Sequence, residues 1–182
     1  MARPVRLFVS SSPDLMAERE IVGQVLAGLP ISVGWEVQYT PLPGEVRQTA
    51  LLSVAECDLF LTLLGQDFAA PMGAEWADAR RHGRSVLAYR KGTLHSPSAQ
   101  MHLRDSKVAW QDFDTLEKLR APLTRQLAQM LLDRGEYFGL HLPEVEGLLE
   151  LLKTKEDAGP GEEDQPRTGA GRGGVILGRG NI

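Results

Sequence analysis

The chain has 182 residues, of which 42% are hydrophobic and 24% charged. That balance fits one folded domain of ordinary size plus a tail, and it excludes wholesale disorder. A net charge of −4, with mixed signs and no basic run, argues against holding nucleic acid by bulk electrostatics. The single cysteine, Cys57, excludes an internal disulfide framework and a multi-cysteine metal site. The longest apolar runs are strand-sized, which predicts no membrane span. Arg3 and Arg6 around Pro4 precede only a short apolar run, which is no secretory signal, so the reading is cytoplasmic.

Elements follow in regular alternation. Residues 5–10 (VRLFVS) form a β-rich run, and Ser11-Ser12-Pro13-Asp14 reads as a helix start. Ser12 is the expected N-cap, with Pro13 where a missing N–H costs nothing and Asp14 at the positive helix end. Leu15, Val22, Val25, Leu26 and Leu29 then recur at helical spacing, stopped by Gly28 and Pro30. In residues 33–39, Val33, Trp35, Val37 and Tyr39 alternate with polar or small neighbours, which predicts an edge strand with one exposed face. A loop over 40–44 leads to a helix marked by Val46, Ala50, Leu51 and Val54. Asp58 opens the nearly all-apolar run 59–64, the pattern of a parallel strand buried on both faces.

A loop over 65–73 precedes a helix over 74–82, closed by Gly83. Residues 85–89 (SVLAY) read as a fourth strand. Residues 107–110 read as a short fifth, reached through a loop containing Pro97. An amphipathic helix over about 114–134 carries Leu116, Leu119, Leu123, Leu127 and Leu131 on one face, with a kink expected at Pro122. A last helix spans about 143–155. Strands alternating with helices predict right-handed βαβ units and a parallel sheet. The expectation is a flavodoxin-like α/β fold with five strands in the order 2-1-3-4-5. Ligands of such sheets bind outside the carboxyl ends of the strands, which gathers the loops over 10–14, 40–44, 65–73 and 90–97.

The domain is therefore expected over 1–155, with a flexible Gly-rich and acidic linker over 156–182 that leads to a further module in a longer chain. Gly169-Ala170-Gly171-Arg172-Gly173-Gly174 matches GxGxxG by spacing. It follows a linker instead of a strand and precedes no helix, so it is not read as a dinucleotide site. No GxxxxGK[ST] or GxSxG is present, and histidines 82, 95, 102 and 141 lack ligand spacing, so no metal is expected. Cys57, before a buried strand, reads as a small core residue, and Asp58, at the far edge of the sheet, as structural.

Glu75 stands in the first turn of the helix after the third strand, behind a loop at the sheet's carboxyl edge. It is either a functional carboxylate or one that merely answers the helix dipole. Trp76, Asp67 and Phe68 beside it are core, loop or binding residues on the same footing. Ser10, Ser11 and Ser12 either hold an anion or a ribose-phosphate at a helix N-terminus, or finish the strand and cap the helix. Arg19, which does not face Glu18, is free to reach a neighbouring loop.

Arg6-Leu7-Phe8-Val9-Ser10-Ser11, with Ser12-Pro13-Asp14-Leu15 and Glu18-Arg19, resembles the F-[IV]-S-S-x-x-D-L-x-x-E-R opening of a TIR-like domain family of bacteria. Cys57-Asp58-Leu59-Phe60 through Leu64-Gly65 resembles that family's third strand. Gly73-Ala74-Glu75-Trp76 through Arg84-Ser85-Val86-Leu87 resembles its helix into strand 4. The resemblance covers roughly residues 5 to 110. It lies within the wider superfamily of TIR and nucleoside deoxyribosyltransferase-like folds. Members of the family commonly open multidomain NTPase or defence proteins.

The resemblance implies that Glu75 is the glutamate that cleaves N-glycosidic bonds of NAD or nucleosides. It implies that Ser10, Ser11 and Ser12 hold ribose or phosphate, that Phe68 or Trp76 stacks on a ring, and that Asp67 lines the same loop. NAD would be a substrate, with no cofactor needed. The family's aromatic-glycine pair is replaced here, since Gln66-Asp67-Phe68 is followed by Ala69-Ala70-Pro71. Many TIR-like domains act by self-association alone. The two expectations are therefore an NAD-hydrolysing effector switched on by assembly, and a non-catalytic homotypic interaction module.

Overall fold

The computed structural model describes residues 3–42 and 54–154. The helix expected over 46–54, apart from Val54, and the linker and tail over 156–182 lie outside the described residues. Strands β1 (Val5–Ser11), β2 (Trp35–Tyr39), β3 (Leu59–Leu64), β4 (Ser85–Lys91) and β5 (Gln111–Phe113) pair in parallel throughout. Their order is β2-β1-β3-β4-β5, the flavodoxin-like arrangement expected of the chain. β3 sits at the centre with all six residues buried, which explains its unbroken apolar sequence.

Parity along β1 decides what each face of the sheet receives. Val5, Leu7 and Val9 join Leu59, Leu61 and Leu63 of β3 on one face. They pack there against Val22, Val25 and Leu26 of α1 (Met16–Gly28) and Leu119, Leu123, Leu127 and Leu131 of α4 (Leu116–Asp133). Each such leucine, fully buried, contributes about 1.5–3 kcal/mol. The opposite face carries Phe8 and Phe60, whose rings stack at 5.8 Å beneath Ala79 and Trp76 of α2 (Ala70–Arg81). Cys57 belongs to this second cluster, and burial pushes its thiol up to about 11, so it is a protonated core residue at neutral pH.

Several boundaries differ from those read in the sequence. α1 begins at Met16, and its N-cap is Leu15 with no side-chain bond. Ser12 does not cap it, because its hydroxyl donates to the Asp67 carbonyl (2.6 Å) and accepts from the Gly65 N–H (2.9 Å). α2 begins at Ala70, with a proline in its first turn, so Glu75 lies in the second turn and not the first. The dipole explanation for that residue weakens accordingly, since the effect fades past the first turn.

A helix, α3 (Pro97–Asp105), stands where the sequence predicts a loop; Ser96 Oγ accepts from the Ala99 N–H and Pro97 takes N1. The fifth strand starts at Gln111, four residues later than the expected 107. Lys107 adopts a positive φ of 53°, and Trp110 is turned to donate its indole N–H to Ser106 Oγ (3.0 Å). β2 is shorter than expected, and Gln38 on its polar side is buried rather than exposed. α4 runs unbroken through Pro122.

The chain finishes with the short α5 (Gly135–Phe138) and with α6 (Leu142–Thr154), which packs on α4. Glu144 fixes that last helix. Its carboxylate accepts the His141 N–H (2.7 Å), the reciprocal half of a capping box, and also the Ser32 hydroxyl (2.6 Å) and N–H (2.5 Å). These donors, the Ser32 hydroxyl foremost, hold Glu144 down from 4.5 to about 2. A depressed carboxylate contributes stability that is complete above its unfolded value and is lost as pH falls through the folded one. Glu144→Ala is therefore expected to cost about 1–3 kcal/mol at pH 7. In thermal melts the gap to wild type should close as pH falls from 4.5 towards about 2. A gap that stays constant over that range would refute the assignment.

Candidate functional site

The switch between β1 and β3 brings the ends of β1 and β2 together beside α2, and Glu75 lies there. The residue is 2% exposed. Glu75 Oε2 accepts the Ser10 hydroxyl at 2.8 Å and the Thr40 hydroxyl at 2.6 Å. Ser10 occupies the same face of β1 as Phe8, two residues nearer the carboxyl end, and so it points at α2. Thr40 follows directly on β2, and its N–H continues the ladder to Val9 O (2.9 Å). A buried carboxylate demands donors, and Ser10 at the end of β1 and Thr40 just past β2 are two of them.

Ser11 points to the other face. Its N–H donates to Thr40 Oγ1 (3.1 Å), while its own hydroxyl is buried with no hydrogen-bond partner among the described residues. Ser12 is spent on the loop between β3 and α2, as described above. Arg19 does reach a neighbouring loop. Its guanidinium donates to Thr40 O (2.8 Å) and lies over the Tyr39 ring at 4.7 Å. Of the three serines, Ser10 alone is bonded to Glu75 through its hydroxyl.

Asp67 acts as a tie. Its carboxylate Oδ1 accepts the hydroxyls of Ser96 (2.5 Å) and Ser98 (2.7 Å) and the Phe68 N–H (2.9 Å), while its carbonyl accepts Ser12. Those bonds join the β1–α1 turn, the β3–α2 loop and the start of α3. At the same junction the Asp14 carboxylate occupies the space where a Cβ at Gly65 would stand, and it accepts from the Gln66 N–H (3.1 Å).

Phe68 and Trp76 occupy the other flank of α2. Phe68 stacks on the His102 ring at 3.7 Å and 9°. Trp76 meets His102 edge-on at 4.8 Å and Phe60 at 6.3 Å, and Trp110 closes the cluster. Burial holds His102 below its ordinary value, and its Nε2 has no partner among the described residues. α2 thus divides a polar flank, with Ser10, Thr40 and Glu75, from an aromatic one. Asp58 is structural, accepting the Arg6 N–H (2.9 Å) at the amino end of the sheet.

A cavity of about 490 Å³ opens at the carboxyl edge on the α1 and α4 side, where Lys91 pairs with the buried Glu18 at 2.7 Å. Glu75 does not line it. Among the described residues no group of three or more His, Cys, Asp or Glu side chains is placed to hold a metal ion, and no helix is long and apolar enough to cross a membrane.

Thr40 is the site residue that sequence reading missed. The available signal was its place as the first hydroxyl after the edge strand, which the 2-1-3 order sets beside Ser11. No family model matches the chain, and no curated protein matches it either.

The tie through Asp67 predicts a local effect. The Ser96 and Ser98 hydroxyls hold its carboxyl below the ordinary 3.8, so their contribution is present above that value and lost as pH falls through the lower folded one. Asp67→Ala should speed amide exchange at Ala99 and Gln100 at pH 7, with global melting little changed. The difference from wild type should vanish in acid below the carboxylate range. Unaltered exchange in the variant would show that the tie does not hold α3.

Proposed function

We propose that the chain is a TIR-like effector or signalling domain in which Glu75 acts on the N-glycosidic bond of NAD or a related nucleotide. The observation that carries this reading is the place of Glu75, beside Ser10 and Thr40 at the carboxyl end of a 2-1-3-4-5 sheet. The resemblance of the opening motif and of Gly73-Ala74-Glu75-Trp76 supports it.

The chemistry suits one carboxylate. As the ribosyl–nicotinamide bond breaks, its electron pair passes to the pyridinium nitrogen, so nicotinamide leaves neutral and needs no general acid. The ribose carbon becomes oxocarbenium-like, and a fixed negative charge beside it lowers the barrier. Water then forms the new bond to that carbon and releases a proton. The Ser10 and Thr40 hydroxyls that now meet Glu75 are of the same kind as the ribose hydroxyls a nucleotide would bring.

One observation favours a second reading. Glu75 is 2% exposed and its carboxylate already accepts protein hydroxyls, as expected of a non-catalytic module that assembles with copies of itself. In either reading the domain self-associates.

The deciding experiment follows released nicotinamide from NAD at high protein concentration, with wild type beside Glu75→Gln. Turnover in wild type and a loss of about a hundredfold or more in a variant that still melts like wild type is the expected result. Absence of turnover in both, even when the domain is tethered into assemblies, would leave the interaction module as the function.

A further inference from the structure

We propose that Thr40 is a positioning residue of this site, a group that aims the Glu75 carboxylate; this role rests on the reading of Glu75 given above. Thr40 Oγ1 accepts the Ser11 N–H at 3.1 Å, which leaves its single proton for Glu75 Oε2 at 2.6 Å. Ser11 thereby fixes which way the Thr40 hydroxyl donates.

Thr40 itself is held from three sides. Its N–H is in the β1–β2 ladder, its carbonyl takes the Arg19 guanidinium, and it is only 4% exposed. A β-branched side chain on so fixed a backbone has little χ1 freedom, so the donor is pre-aimed. Ser10, unbranched, supplies a second donor to the same oxygen, and among the described residues no N–H bonds its hydroxyl. Among the described residues, the charged groups at this end of the sheet include Asp14, Glu18 and Arg19 at the start of α1, Asp67 in the β3–α2 loop and Lys91 at the end of β4, and the variants below keep them all.

The test compares Thr40→Val, which keeps the shape and removes the hydroxyl, with Thr40→Ser, which keeps the hydroxyl. The first readout needs no activity: the Glu75 δ-carboxyl carbon is followed by NMR as pH is changed. Losing a donor to the carboxylate should raise its midpoint by about one pH unit in Thr40→Val, and Thr40→Ser should restore it. A purely structural Thr40 would lower melting in Thr40→Val yet leave that midpoint in place, which would overturn the proposal.

Should Thr40→Val fail to fold, the wild-type chain still decides. A Thr40 hydroxyl proton protected from exchange, with a cross-peak to the Glu75 side chain, is expected, and a freely exchanging one refutes the role. If wild type cleaves NAD, Thr40→Val should lower kcat about tenfold or more with KM little changed, and Thr40→Ser should recover most of it. If wild type does not cleave NAD, the glycosidase reading fails while the NMR result still judges Thr40.

Discussion

A carboxylate buried at the end of a parallel sheet is the constraint around which this domain is arranged. Removed from water, it must accept hydrogen bonds or cost several kcal/mol. The donors come from Ser10 at the end of β1 and Thr40 just past β2, and each is in reach only while the two strands keep their register. A slip of one residue would turn Ser10 to the α1 and α4 face and bring Ser11 to α2. The same slip would carry Val5, Leu7 and Val9 out of the main core, so hydrophobic burial and the polar site specify one register together.

Around that point the connections are stitched more by polar atoms than by packing. Ser12 joins the β1–α1 turn to Gly65 and Asp67, and Asp67 joins that loop to α3 through Ser96 and Ser98. The stitches stand at the carboxyl edge, where the strands end and no ladder bonds remain. At the amino edge Asp58 has the matching task, accepting the Arg6 N–H and the Tyr137 hydroxyl. α2 lies between, its Glu75 side polar and its Trp76 side aromatic, because neighbouring helical positions diverge by about 100°.

The sheet was legible because period and burial agree in this chain. The apolar run of β3 and the β1 parity that sends Leu7 and Phe8 to opposite faces both follow from which side chains must leave water. Glu75 was legible as a candidate from its place after the third strand. What escaped was whatever depended on competition between partners. Ser12 has every property of a cap, but Gly65 and Asp67, more than fifty residues away, take its hydroxyl instead. Ser96-Pro97 is a usable start signal for α3, but in sequence the same proline reads equally as loop punctuation. Thr40 looked like the first residue of a loop, and only the placement of β2 beside β1 makes it a partner of Glu75.

The reason to prefer a functional role for Glu75 is energetic. Buried charged groups are often replaced by apolar side chains of similar size with no loss of stability, or with a gain. Its neighbours on the same face, Phe8, Phe60 and Ala79, show that apolar packing under α2 is available. Stability alone therefore does not call for a carboxylate at this position, nor for two hydroxyls turned to meet it. A carboxylate whose direction is fixed before any ligand arrives incurs the cost of orientation during folding and not during reaction, which is the physical advantage such a site offers.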